Sequence, residues 1–181
     1  MASPGPPDGL HDFDDPDTLR GVLGRFTTGV TVVTAMTPHG PVGMTANSFS
    51  SVSLDPPLVL FSVARRSQLS DHLTRADAFA VNILNAGQRE LSARFARPGL
   101  NRFGDTDWRL GTTGSPVLPG ALGVVECRPS EVHAGGDHLI TVGRVVEAYA
   151  NEPADEPLLF FRGAYRELDR PGPPGTRHDR P

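Results

Sequence analysis

From residue 121 to residue 168 the chain carries three strand patterns in succession, at 121–127, 139–149 and 158–168, with no helical period between them. A parallel pair of strands needs a crossover, usually a helix, whereas antiparallel strands need only a turn. This feature argues against a doubly wound α/β sheet and predicts an antiparallel barrel with helices outside it. The earlier half agrees. Residues 30–36 are β-branched and strand-like, Pro38-His39-Gly40 makes a turn, and 41–45 begins a second strand, so the pair reads as a hairpin. A short strand at 51–54 ends at Pro56-Pro57, 58–63 is an apolar run suited to a buried strand, and Phe79, Val81 and Ile83 alternate. The expectation is about eight strands.

Three helices complete the pattern. Asp14 or Asp15 can cap the first, Pro16 suits its first position, and Leu19, Val22, Leu23 and Phe26 form an apolar stripe before a stop at Gly29. A second helix is expected from a Ser67 cap, with Leu69 and Leu73 turned inward, and a third over 88–95, with Leu91 and Phe95 one turn apart. Residues 97–118 read as a long irregular loop, a length that often accompanies function.

The 181 residues suffice for one domain, expected over 14–168. The tails at 1–13 and 169–181 are too rich in Pro, Gly and charge to offset their ordering entropy and are expected to be disordered. The 17 basic residues are all Arg and scattered, and the net charge is −4, which argues against a nucleic-acid partner. Cys127 stands alone, so neither an internal disulfide nor a thiolate zinc cluster is available. No run approaches the ~20 apolar residues of a membrane span, and the N-terminus lacks a secretory pattern. A cytoplasmic protein without a membrane partner is expected.

The catalytic signatures with a mechanism attached are missing: no G-x-S-x-G elbow, no Walker A loop, no G-x-G-x-x-G after a strand. His11, Asp12, Asp14 and Asp15 sit where the chain leaves its Pro/Gly-rich tail, and no metal site is expected there. Asp71-His72 reads as a solvated pair and Cys127 as packing. The richest segment is GMTANSFSSVSLDPP at 43–57, dense in hydroxyls and an amide. Composition leaves two readings open: a polar edge strand with a turn, or a neutral donor and acceptor set for a heteroaromatic ring or a phosphate.

That segment resembles the flavin-binding signature of the short-chain flavin reductases, the reductase components of two-component flavin monooxygenases. The similarity continues in order through FTTGVTVVTA at 26–35, PPLVLFSVARRS at 56–67 and FAVNILNAGQRELSARFA at 79–96. It then covers GALGVVECRP at 120–129, GGDHLITVGRVVEA at 135–148 and PLLFFRGAYREL at 157–168. The resemblance implies a mainly β fold, an antiparallel split β-barrel of Greek-key type, usually a homodimer. It implies that Met44, Thr45, Ala46, Asn47 and Ser48 lie along the flavin ring, and that Ser51 and Ser62 continue towards the ribityl chain. Arg66 and Ser67 would meet the phosphate, helped by the following helix N-terminus. Phe95, Ala96 and Arg97 would contact the far end of the flavin, with core anchoring the alternative for Phe95. Gly136, Asp137 and His138 resemble the family's GDH turn, whose histidine contacts the nicotinamide. Tyr165 resembles an aromatic near the ligand, with an ordinary half-buried strand position as the alternative.

The function implied is an NAD(P)H:flavin oxidoreductase that reduces FMN or FAD, with NADH favoured over NADPH as hydride donor, and releases reduced flavin to a partner monooxygenase. No protein nucleophile is needed, which suits a chain without a triad. Two rivals remain at this stage: a non-catalytic flavin-binding split-barrel protein, and a pyridoxal-phosphate-type flavin oxidase. The GDH turn argues against the first and the sparse basic residues against the second.

Overall fold

The computed structural model describes residues 15–99, 101–151 and 156–168. The two expected tails, and with them His11, Asp12 and Asp14, lie outside the described residues. Helix α1 spans Pro16–Leu23, and the Asp15 carboxylate caps it by accepting from the N–H groups of Asp17 (3.3 Å) and Thr18 (3.0 Å). The helix stops earlier than expected, at Gly24 and not Gly29. The Gly24 N–H donates to the Arg20 carbonyl (2.8 Å), and its own carbonyl accepts from the Arg162 N–H (2.7 Å), which turns the chain out of the helix. The apolar stripe forms but faces outward: Leu19, Val22, Leu23 and Phe26 are exposed.

Strands β1 (Thr28–Gly29), β2 (Thr31–Thr37) and β3 (Gly40–Ala46) follow, and β2 and β3 make the expected hairpin. Strands β4 (Ser50–Leu54) and β5 (Pro57–Ala64) make a second. Helix α2 covers only Ser70–Thr74, and Ser67 does not cap it. The Ser67 hydroxyl instead accepts from the Leu69 N–H (3.2 Å), a local turn that competes with helical geometry. After β6 (Phe79–Ile83), a 3₁₀ turn at Ala86–Gln88 leads into α3 (Arg89–Ala96), with Ser92 and Phe95 buried.

The 97–118 stretch is not wholly irregular, because β7 (Arg109–Leu110) pairs with β8 (Pro116–Val117). Their turn is held by the buried Glu126 carboxylate, which accepts from the N–H groups of Thr112 (3.0 Å) and Thr113 (2.7 Å) and from the Thr113 hydroxyl (2.7 Å). Strands β9 (Gly123–Gly135) and β10 (His138–Ala150) form a long hairpin. β9 runs well past its expected end at 127; its distal half is mostly exposed, so the apolar alternation that marks a strand fades there. The single strand expected at 158–168 is two, β11 (Leu159–Phe161) and β12 (Ala164–Arg166). Arg162 (φ 51°) and Gly163 (φ 76°) both sit in the left-handed region, the geometry of a two-residue hairpin turn.

The main sheet runs β3-β2-β6-β9-β10-β5-β4, antiparallel throughout, while β1, β11 and β12 form a second sheet. The fold class is therefore mainly β and antiparallel with few helices, as expected. The long hairpin serves two neighbours: β6 pairs with the first half of β9, and β5 with the first half of β10. Phe61 of β5 and Phe79 of β6 nevertheless meet edge to face at 5.1 Å. Two strands separated by a hairpin can touch only if the sheet curls, so the sheet wraps around a core of Val33, Phe61, Val63, Leu73, Phe79, Val81 and Cys127. Gly143 permits the closure, since a Cβ there would collide with the Phe79 ring. Among the described residues no helix is long and apolar enough to cross a membrane.

Candidate functional site

Curling leaves a gap where the end of β3 faces β5, and a cleft of about 540 Å³ occupies it. That is within the ~300–1,000 Å³ usual for ligand sites. Met44, Thr45, Ala46, Asn47 and Ser48 form one side and Ser62 and Ser67 another, and the lining also includes Leu69, Phe95, Ala96, Pro98, Arg102, Gly135, His138 and Ile140. β3 and β5 are not neighbours in the sheet. Ser48 bridges them: its hydroxyl accepts from the Ser62 N–H (3.0 Å) and donates to the Ser62 carbonyl (3.2 Å), standing in for a missing strand partner. The Thr45 hydroxyl donates to the Ser92 carbonyl (2.6 Å), which docks α3 against β3. These two hydroxyls thus serve first to shape the cleft, a role the sequence reading did not give them.

His138 opens β10 directly beside Ala64 of β5. Its Nδ1 lies 2.7 Å from the Asp137 carboxylate. The hydrogen bond from His138, then its charge, holds the Asp137 carboxyl below its ordinary value. An ionised carboxylate only accepts, so Nδ1 carries the proton and Nε2 is the ring's remaining polar atom. Gly136, at φ 62°, makes the turn. Arg65 clamps it, donating from its backbone N–H to the Asp137 carbonyl (2.9 Å) and from Nε to the Gly136 carbonyl (3.1 Å). Arg65 is thus structural, whereas Arg66 lines a second cleft of about 630 Å³ with Gln68 and Asn101. The two clefts share Ala64, Ser67, Leu69, Pro98 and Arg102. The second lining holds two guanidinium groups and no carboxylate.

Four expected residues fall outside these linings, and a fifth, Asp137, stands behind His138. Ser51 is exposed on the sheet-edge strand β4, opposite Val59. Arg97 contributes its carbonyl to Arg102 at the end of α3. Gly136 turns the chain while its neighbour Gly135 meets the cleft. Tyr165 packs against the buried face of α3, its hydroxyl sharing a 2.8 Å hydrogen bond with the Ser92 hydroxyl and its ring packed on Phe160. It braces the buried face of α3 through Ser92 and joins the apolar cluster of Phe95, without lining the cleft. Ser67 and Arg66 occupy a turn and not a helix N-terminus, since α2 begins only at Ser70. A cavity of about 700 Å³ elsewhere is bordered by Gln88, Glu156 and Glu167; among the described residues it is lined by carboxylates and no cation, unsuited to a phosphate-bearing ligand.

Arg102 is the residue the sequence reading missed. It lies in the loop after α3, and nothing in its local pattern marks it. Burial pulls its pKa below the ordinary value.

Comparison with known proteins identifies what this arrangement resembles. The model of the flavin reductase like domain matches residues 23–169. "FMN reductase (NADH) SmoA" of Agrobacterium fabrum is 52% identical over 153 residues, 84% of this chain and 86% of that one. The HsaB reductase subunit of a flavin-dependent monooxygenase from Mycobacterium tuberculosis is 41% identical over 157 residues, 86% of this chain and 83% of that one. The structure of the NADH:FAD oxidoreductase SgcE6 of Streptomyces globisporus C-1027, in complex with NAD and FAD fragments, superposes with a TM-score of 0.85. Its sequence identity is 42%, over 91% of this chain and 99% of that one.

Proposed function

The chain belongs to the flavin reductase-like family, and from that premise we propose how its cleft works. It is an NAD(P)H-dependent flavin reductase that takes FMN or FAD as flavin and supplies reduced flavin to a separate monooxygenase. The rival readings, a non-catalytic binder and a pyridoxal-phosphate-type oxidase, gain no support from these relatives.

The residues suit a flavin. A flat heteroaromatic ring needs apolar faces and polar groups along an edge; Met44, Leu69 and Ile140 offer the first, with the buried Phe95 behind the wall as its core anchor, and Asn47, Ser62 and the 44–48 backbone offer the second. When bound, flavin supplies the atom that accepts hydride from the nicotinamide. The protein's part is alignment. Ser48 and Thr45 fix the 44–48 segment through their cross-ties, which holds the ring edge without a side-chain rearrangement. His138, steadied by Asp137 and by the clamp of Arg65, borders the ring cleft where the nicotinamide would stack. Preset geometry of this kind removes much of the entropic barrier to a two-substrate reaction. Arg66 and Ser67, next to the second cleft, meet the flavin phosphate. One exposed arginine is a modest clamp, in keeping with a flavin that must leave.

The observation that carries this reading is a single cleft lined by both residues 44–48 and His138. NADH is the favoured donor. The exposed stripe of α1, Leu19, Val22, Leu23 and Phe26, favours a homodimer that covers it, and the protein acts in the cytoplasm.

The test mixes protein with FMN or FAD and follows NADH and NADPH oxidation by absorbance, in the wild type and His138→Ala. Turnover with free flavin is expected, with kcat/KM for NADH lowered in the variant and flavin affinity kept. Flavin binding without turnover would overturn the reading in favour of a binder. Sedimentation velocity tests the dimer.

A further inference from the structure

We propose that Arg102 is a positioning residue for flavin: its guanidinium ties the Gly43 carbonyl, where the ring-facing segment begins, to the Arg97 carbonyl at the end of α3. Nε and Nη2 both donate to Arg97, at 3.0 and 2.7 Å, and Nη1 donates to Gly43 at 3.1 Å. One planar group therefore sets β3 and α3 in a single register. Met44 follows Gly43 directly, and Phe95, Ala96 and Pro98 flank Arg97; all four line the cleft.

The seam it ties has no slack. A Cβ on Gly43 would stand 2.9 Å from the Phe95 ring, so strand and helix already touch there. The Thr45 tie to the Ser92 carbonyl lies farther along the same seam. Loss of Arg102 would free the end of the seam nearest the second cleft while Thr45 kept the other end. Arg102 is also the charged residue shared by the two connected clefts, so it stands where the ring portion of a ligand passes into its phosphate portion. Lysine cannot replace it, because a single ammonium lacks the rigid fork that reaches two carbonyls at once.

The inference rests on the flavin reductase reading, and the experiment separates the two. Flavin affinity is measured by quenching of FMN and FAD fluorescence, apart from turnover, for wild type, Arg102→Lys and Arg102→Ala. Thermal midpoints are recorded in parallel. Loss of the fork should raise the flavin Kd about tenfold in both variants, the effect of roughly 1.4 kcal/mol. KM for NADH should stay within about twofold, since His138 is held by separate contacts. Millimolar methylguanidinium should recover part of the affinity of Arg102→Ala and leave wild type unchanged. If Arg102→Ala does not fold, Arg102→Lys decides. Wild-type flavin affinity in Arg102→Lys, or a lowered thermal midpoint as the sole change, overturns the inference while wild-type turnover leaves the reductase reading intact. A wild type that neither binds nor reduces flavin would overturn both.

Discussion

Replacing Gly43 by alanine tests the packing that shapes the cleft. The added Cβ would lie 2.9 Å from Cε1 and 3.1 Å from Cδ1 of Phe95, and 3.1 Å from Cγ2 of Thr34. Carbon atoms prefer roughly 3.5–4.0 Å, so something must move. Neither neighbour is free to do so. The Phe95 ring is backed by Phe103, edge to face at 5.0 Å, and Phe103 in turn by Trp108 at 6.0 Å. The Thr34 hydroxyl donates to the Pro116 carbonyl, with the Ala80 carbonyl also within reach, and accepts from the Asn82 amide, which pins its rotamer. Overpacking a constrained site costs about 1–3 kcal/mol. Alanine recovers roughly 0.5–1 kcal/mol in the unfolded chain. The net expectation is a loss centred on about 1 kcal/mol, read as a lower urea midpoint with an unchanged slope. Because Phe95 borders the cleft, flavin affinity should fall as well. Gly21→Ala is the control: nothing lies within 4 Å of its Cβ position, and alanine in α1 should stabilise by roughly 0.5–1 kcal/mol. A Gly43→Ala protein with the wild-type midpoint and wild-type flavin affinity would refute the argument.

Glu126→Ala strips the acceptor from two backbone N–H groups and a hydroxyl in the β7–β8 turn, and urea unfolding should show a loss of about 3 kcal/mol. Burial, aided by the Glu126 charge, pushes the Cys127 thiol up to about 12. Iodoacetamide at pH 8 should therefore leave the native protein unlabelled by mass spectrometry and modify it once urea is added. The Asp137 carboxyl, lowered from 3.8 by its hydrogen bond to His138 and then by the charge of His138, makes its stabilising contact fully above its unfolded pKa. That contact is lost as pH falls through the lower folded value. Carboxyl NMR titration should place the Asp137 midpoint below 3.8, and His138→Ala should return it towards 3.8.

Much of the local structure was legible because its causes are local. The alternation at Phe79, Val81 and Ile83 marks β6, the 38–40 turn joins β2 to β3, and the Asp15-Pro16 start marks α1. The motif resemblance likewise brought residues 44–48, Ser62, Phe95 and His138 to one cleft. Periodicity, however, reports which face of an element is apolar and not what meets it. The stripe of α1 is as regular as that of α3, yet only α3 buries its side chains in this chain. Tyr165 sits in a motif that matches, and only its hydrogen bond to Ser92 reveals that it supports α3 and does not line the cleft. The hydroxyls of Thr45 and Ser48 look like ligand groups in sequence, and only the closure of the sheet turns them into cross-ties. Arg102 is the extreme case. Its partners, Gly43 and Arg97, come together because the curled sheet brings β3 against α3. The sequence by itself determined most of the strands, the turn of the first hairpin and the chemistry of the motif. The tertiary structure alone decided which of those groups face a ligand and which hold the wall, because that choice depends on contacts between residues far apart in the chain.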